Sequence, residues 1–124
     1  MSKRVMVIDD GAAIRQVVSH VLKSEGYEVL EAVDGHDALS KLDEGKIDLF
    51  ICDVNMPNMN GIEFLEKIKT EEAYRNYKFA PVIMLTTESG QSMKEKGKQL
   101  GAHAWMVKPF QPDQLIAKIK PILG

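Results

Sequence analysis

The runs Val5-Met6-Val7-Ile8-Asp9-Asp10 and Leu49-Phe50-Ile51-Cys52-Asp53 decide the fold. Each is a short continuous apolar stretch of strand length that ends in acid, the pattern of a buried strand in a parallel sheet. Carboxylates that end neighbouring strands meet at one sheet edge, where they repel one another unless a cation sits among them. Mg²⁺ suits that place, because it is a hard cation bound through one or two carboxylates together with water and phosphate oxygens. Two more runs of the same kind follow. Pro81-Val82-Ile83-Met84-Leu85 leads to Thr86, and Ala104-Trp105-Met106-Val107 leads to Lys108-Pro109, so a hydroxyl and an ammonium join the acids.

Between the runs the apolar spacing changes from strand-like to helical. Ile14, Val17, Val18, Val21 and Leu22 make one buried stripe of a helix over about residues 12–25, ended by Gly26. Residues 27–32 read as a further strand. Asp34-Gly35 then turns the chain into a short helix carrying Ala38, Leu39 and Leu42, closed by Gly45. Ile62, Phe64, Leu65 and Ile68 form a helical stripe after Gly61, and residues 70–78 are a polar connection. Residues 89–100 carry few apolar positions and give the weakest helix signal. Pro112 suits the first turn of a last helix that buries Leu115, Ile116, Ile119, Ile122 and Leu123. Five strands alternating with five helices imply an α/β fold, a doubly wound parallel sheet covered on both faces. Ligands of such sheets bind outside the carboxyl ends of the strands, where Asp9, Asp10, Asp53, Thr86 and Lys108 all fall.

The chain has 124 residues, enough for one domain that buries roughly two thirds of its unfolded surface. Sixteen basic residues against eighteen acidic ones leave a net charge of -2, with no Lys/Arg cluster to follow a phosphate backbone, which argues against nucleic-acid binding. Cys52 is the single cysteine and has no disulfide partner within the chain. No leader and no membrane-spanning run are legible, so a cytoplasmic protein without membrane insertion is expected.

An Asp after a strand is commonly a turn or helix cap. Three acids with a lysine and a hydroxyl at the same edge are not explained that way. The segments Val7-Ile8-Asp9-Asp10, residues 53–61 (DVNMPNMNG), Leu85-Thr86-Thr87-Glu88 and Val107-Lys108-Pro109-Phe110 resemble the receiver domain of two-component response regulators, most closely its CheY-like chemotaxis members. The resemblance covers the whole chain and implies a flavodoxin-like sheet of strand order 2-1-3-4-5, with residues 1–124 as a single receiver domain acting as a monomer.

By that resemblance Asp53 is the phosphoacceptor, receiving its phosphoryl group from a sensor histidine kinase of the CheA-like kind. Asp10 and Asp53 bind Mg²⁺, with the backbone carbonyl of Asn55, while Asp9 acts through a coordinated water. Thr86 and Lys108 bind the phosphoryl group. Asn55, Thr87 and Glu88 tune phosphate lifetime, and Lys108-Pro109 is a cis peptide. Trp105 falls at an aromatic rotamer switch and is expected at the end of the fifth strand, turning inward on activation. A flagellar motor switch protein and a phosphatase are further implied partners, and a phosphate sink or relay outside chemotaxis is the alternative. Lys94, Lys96, Lys98 and Lys118 would belong to the surface that partners read. With the chain stopping soon after the fifth helix, signalling by protein contact and no output domain are expected.

Three positions depart from the family pattern: Thr87, where Ala or Gly is usual, Asn60, where Asp is, and Trp105, where Tyr is. A phosphatase or dehalogenase with an Asp nucleophile would want a second acid where Asn55 stands, and a nucleotide-binding protein would want a GxxxxGK[ST] or GxGxxG loop, which is missing. A scaffold that ignores phosphorylation would not need the acid, hydroxyl and lysine together. His20, His36 and His103 lack metal-ligand spacing, and Cys52 reads as a small buried hydrophobe.

Overall fold

The computed structural model describes residues 3–42, 45–87 and 91–124. Five strands, β1 (Arg4–Ile8), β2 (Glu28–Ala32), β3 (Leu49–Asp53), β4 (Val82–Thr86) and β5 (Ala104–Val107), form one all-parallel sheet in the order β2-β1-β3-β4-β5. Five α-helices connect or follow them: α1 (Ala12–Ser24), α2 (Gly35–Ser40), α3 (Gly61–Thr70), α4 (Gln91–Gln99) and α5 (Pro112–Leu123).

Alternation along the strands divides the interior in two. Met6, Ile8, Phe50, Cys52 and Met84 point to the side of α2 and α3 and pack on Phe64, Leu65 and Ile68. Val5, Val7, Leu49, Ile51, Ile83 and Leu85 point the other way, onto Val18 and Leu22 of α1 and Leu115 and Ile119 of α5. Both faces of β3 and β4 are therefore buried along their whole length, which is why their sequences show no polar alternation.

Local chemistry sets the helix ends. Asn60 and Glu63 make a reciprocal capping box at the start of α3, and Asp34 caps α2 by accepting from the Asp37 N–H at 2.8 Å. Gly26, at φ +89°, lets the chain turn from α1 into β2. Helix α2 stops at Ser40, so Leu42 is buried from the turn that follows and not from the helix itself.

A six-residue 3₁₀ segment, Glu72–Tyr77, occupies the connection expected to be plain polar chain. Tertiary contact creates it. Tyr77 donates its hydroxyl to the carbonyls of Leu42 and Gly45, and its ring meets Phe50 edge-on at 6.1 Å between centroids, while Phe64 meets Phe50 edge-on at 5.6 Å.

Candidate functional site at the carboxyl edge of the sheet

Strand order reverses between β1 and β3, since β1 continues to β2 on one side and β3 to β4 on the other. The crevice outside their carboxyl ends is where such sheets bind ligands. Ile8 is paired with Cys52 there, so the next residues, Asp9 and Asp53, face each other across the crevice.

Carboxylate oxygens of Asp9, Asp10 and Asp53 lie within 4.8 Å of one another. Asp9 and Asp53 are buried, whereas Asp10 is exposed at the mouth. Lys108 reaches in from beyond β5 and places its Nζ 2.8 Å from Asp9 Oδ2 and 3.1 Å from Asp53 Oδ1. One ammonium thus spans two buried acids. The other Asp9 oxygen, Oδ1, accepts the Gly11 N–H at 2.9 Å.

The charge balance at Asp53 is uneven. Burial, helped by the Asp9 charge, raises its pKa above the ordinary carboxylate value, although Lys108 and the Asn55 backbone N–H stabilise the anion. For Lys108 burial acts to lower the pKa, but hydrogen bonds to Asp9 and Asp53 prevail and raise it. The ammonium therefore stays charged at neutral pH.

Thr86 ends β4 and is fully buried. Its carbonyl accepts the Lys108 N–H at 2.7 Å, which ties the lysine-bearing turn to the strand beside the acids. Lys108-Pro109 is cis, as the family resemblance implies. Thr87 is exposed just outside, and Glu88 lies outside the described residues. Asn55, second in the loop after β3, is exposed.

Trp105 is placed differently from the expectation. It is the second residue of β5, opposite Met84, two positions short of the strand end. Alternation puts it on the same face as Met84 and Thr86, and its ring already packs inward against Gly97 of α4, where an added β-carbon would lie 2.6 Å from the indole Cζ3. Its Nε1 is buried with no hydrogen-bond partner among the described residues. His20, His36 and His103 are all exposed, and among the described residues none joins the three acids as a ligand cluster.

Sequence reasoning missed two residues of the site. Gly61 packs on the Asp53 backbone and donates its N–H to the Val54 carbonyl at 2.9 Å. Arg15, on the first turns of α1, donates through Nη1 to the Asp9 carbonyl at 2.8 Å and through Nε to Glu31 at 3.1 Å. The Asn60-Gly61 junction signals the first; nothing in helical periodicity signals the second.

The donor set is all hard oxygen, with an entrance at Asp10, and it fits a small divalent cation. A sheet of this order with three acids, a buried threonine and a lysine at its carboxyl edge defines a class, and comparison with known proteins gives the same one. The family described as "Response regulator receiver domain" matches residues 5–120. The chain belongs to that family.

Among curated relatives it is 36% identical to chemotaxis protein CheY1 of Helicobacter pylori, over 98% of this chain and 97% of that protein. It is 35% identical to the phosphate regulon transcriptional regulatory protein PhoB of Escherichia coli, over 99% of this chain, and spans about half (52%) of PhoB. Among solved structures, chemotaxis protein CheY4 of Vibrio cholerae superposes with a TM-score of 0.92 at 43% identity, covering 99% of this chain and 100% of that one.

Proposed function

We propose that the protein is a phosphorylation-driven signalling switch in which Asp53 accepts a phosphoryl group from the phosphohistidine of a sensor kinase. The observation that carries this reading is the pairing of a buried Asp53 carboxylate with the Lys108 ammonium, 3.1 Å apart, inside a cluster of three acids. A carboxylate so placed has no packing role to explain it. As nucleophile, an Asp53 oxygen forms a bond to phosphorus while the phosphorus–nitrogen bond breaks, and the departing imidazole takes a proton.

Asp10, Asp53 and the Asn55 carbonyl, with Asp9 acting through water, would hold Mg²⁺, which when bound neutralises charge on the phosphoryl oxygens. The protein groups supply the rest. Lys108 is held charged beside Asp53 and pairs with the added oxygens. Phosphorylation adds roughly -1.5 to -2 charge at one buried point, and the buried Thr86 answers it by bonding to the phosphoryl group. Because Thr86, Met84 and Trp105 share one face of the sheet, movement at Thr86 reaches the β5–α4 surface through packed neighbours. Residues 1–124 act as one receiver unit in this reading.

Similarity to CheY1 and CheY4 along their whole lengths supports a chemotaxis pathway, with a CheA-like kinase as donor and a flagellar motor switch protein and a phosphatase as further partners in the cytoplasm. A phosphate sink or relay intermediate is the second reading, favoured by no separate feature of the site. Among the described residues no helix is long and apolar enough to cross a membrane.

Incubation with acetyl phosphate and Mg²⁺ followed by intact-mass measurement tests the central step. One phosphoryl addition is expected, lost on hydroxylamine treatment and absent in Asp53→Asn. A hydroxylamine-sensitive phosphate that persists in Asp53→Asn would place the acceptor elsewhere.

A further inference from the structure

Of the three clustered acids only Asp10 is exposed, and no hydrogen bond of its carboxylate joins it to the described residues. Asp9 and Asp53, by contrast, are buried and gripped by Lys108. Something other than its own side chain must aim Asp10 into the cluster. The two peptide groups that flank it are both held. In the Asp9–Asp10 peptide, the Asp9 carbonyl accepts from Arg15 Nη1 at 2.8 Å. In the Asp10–Gly11 peptide, the Gly11 N–H donates to Asp9 Oδ1 at 2.9 Å.

Peptide groups are planar, so fixing the plane on each side of a residue fixes both of its backbone torsions and hence the direction of its Cα–Cβ bond. Arg15 is itself restrained. Its side chain is 16% exposed, and its Nε is bound to Glu31 at the end of β2, 3.1 Å away. The Asp9 N–H completes the frame by donating to the Ala32 carbonyl at 3.1 Å. The guanidinium thus links β2 to the peptide before Asp10, and a planar fork with two separate donors is what that link needs.

We infer that Arg15 is a positioning residue for divalent-cation binding, acting by holding the Asp9–Asp10 peptide so that Asp10 points at Asp53. This rests on the acids being a cation site, as proposed above. Two effects of Arg15 oppose each other. Its positive charge repels a dication and weakens binding, whereas its grip on the peptide pre-organises a ligand and strengthens it. The effects have opposite signs on removal, so affinity alone separates them. A residue important only for folding would change affinity equally with and without Asp10.

The test is Mg²⁺ affinity by calorimetric titration of the folded, phosphate-free protein at a temperature well below unfolding, in wild type, Arg15→Ala, Arg15→Lys, Asp10→Asn and the Asp10→Asn/Arg15→Ala double variant. Removing an outer partner of a metal ligand typically costs between about 10-fold and 100-fold in affinity, and a loss at the lower end is expected for Arg15→Ala. Arg15→Lys, which keeps the charge but not the fork, should lose affinity too. In the Asp10→Asn background the Arg15→Ala loss should nearly vanish, because its target ligand is already gone.

Unchanged or tighter binding in Arg15→Ala overturns the inference, as does an equal loss with and without Asp10. Arg15→Lys decides the matter if Arg15→Ala does not fold, with wild-type affinity counting against. Absence of Mg²⁺ binding in the wild type would remove the cation-site reading and this inference together; binding in the wild type with no Arg15 effect would remove this inference alone.

Discussion

Gly61 lies so close to Asp53 that a β-carbon at Gly61 would sit 2.3 Å from the Asp53 carbonyl oxygen and 2.8 Å from the Met84 methyl. The methyl of a methionine can turn aside, but a strand carbonyl cannot. Gly61→Ala therefore displaces β3 at the residue proposed to carry the phosphoryl group. Overpacking of this kind costs about 1–3 kcal/mol, more than the gain in helix propensity of up to about 1 kcal/mol from replacing Gly by Ala. A lowered urea midpoint and slower phosphorylation by acetyl phosphate are expected; a midpoint equal to wild type would show that the loop yields freely.

Lys108 offsets two buried carboxylates at once. Lys108→Ala leaves Asp9 and Asp53 facing each other without compensation. Breaking a buried ion pair costs about 3–5 kcal/mol, and the 14% exposure of the Lys108 side chain puts the expected loss at the lower end. Mg²⁺ should restore more stability to this variant than to wild type, because it replaces missing positive charge. Equal Mg²⁺-dependent shifts in melting temperature would argue that the ammonium and the cation do not share the acids.

How far the sequence reveals this molecule depends on whether a feature is local. The strands are legible because Leu49 to Cys52 and Val82 to Leu85 are continuous apolar runs, a direct consequence of burial on both faces. The edge cluster is legible because Asp9 and Asp10, Asp53, Thr86 and Lys108 each come immediately after one of the strand runs. The 3₁₀ segment is not, since Tyr77 is anchored by carbonyls some 30 positions earlier in the chain. Arg15 escapes notice because it acts on a main-chain carbonyl, and Gly97 because its value lies in a ring packed from another element. The inward seat of the Trp105 ring is hidden for the same reason, since its neighbour in α4 is invisible to strand spacing, whereas its place within β5 is already set by the run Ala104 to Val107 and not by the family's rotamer switch.

Cys52 tests the electrostatics from the other face of β3. It is wholly buried, and burial together with the charges of Asp53 and Asp9 raises its pKa well above the ordinary thiol value. Native protein should react with a thiol reagent at pH 8 only as fast as it opens, and fully once unfolded in urea. Rapid labelling of the native protein would mean that the strand next to Asp53 is far more accessible than its packing implies.

Asp37 predicts an acid-side dependence away from the site. Burial acts to raise its pKa, but the Val33 N–H at 2.9 Å and Lys41 at 3.1 Å outweigh that and lower it below the ordinary value of 3.8. A depressed carboxylate contributes stability that is present above the unfolded pKa and is lost as pH falls through the folded one. Asp37→Asn should therefore be less stable than wild type at neutral pH, by about 1 kcal/mol or less after solvent screening. That difference should shrink below pH 3.8. A difference constant down to strongly acid pH would assign the effect to packing.

Trp105 and Gly97 allow the proposed route from site to surface to be tested with one signal. Full burial of an aromatic side chain of 150–250 Å² at 25 cal/mol per Å² is worth roughly 4–6 kcal/mol, of which a partly exposed ring realises a fraction. Against that stands the buried Nε1 without a partner among the described residues, at a cost of about 1–3 kcal/mol. The ring is seated by a small margin. A β-carbon at Gly97, 2.6 Å from the ring, adds an overpacking cost of about 1–3 kcal/mol, enough to turn the indole outward. Gly97→Ala should shift Trp105 emission to longer wavelength and increase its quenching by acrylamide, even where overall stability is held by better helix propensity in α4. In wild type, beryllofluoride should change quenching only slightly, because the ring starts inward. Identical emission and quenching in Gly97→Ala and wild type would show that the glycine is not the seat of the ring, and that the β5–α4 surface is set by other contacts.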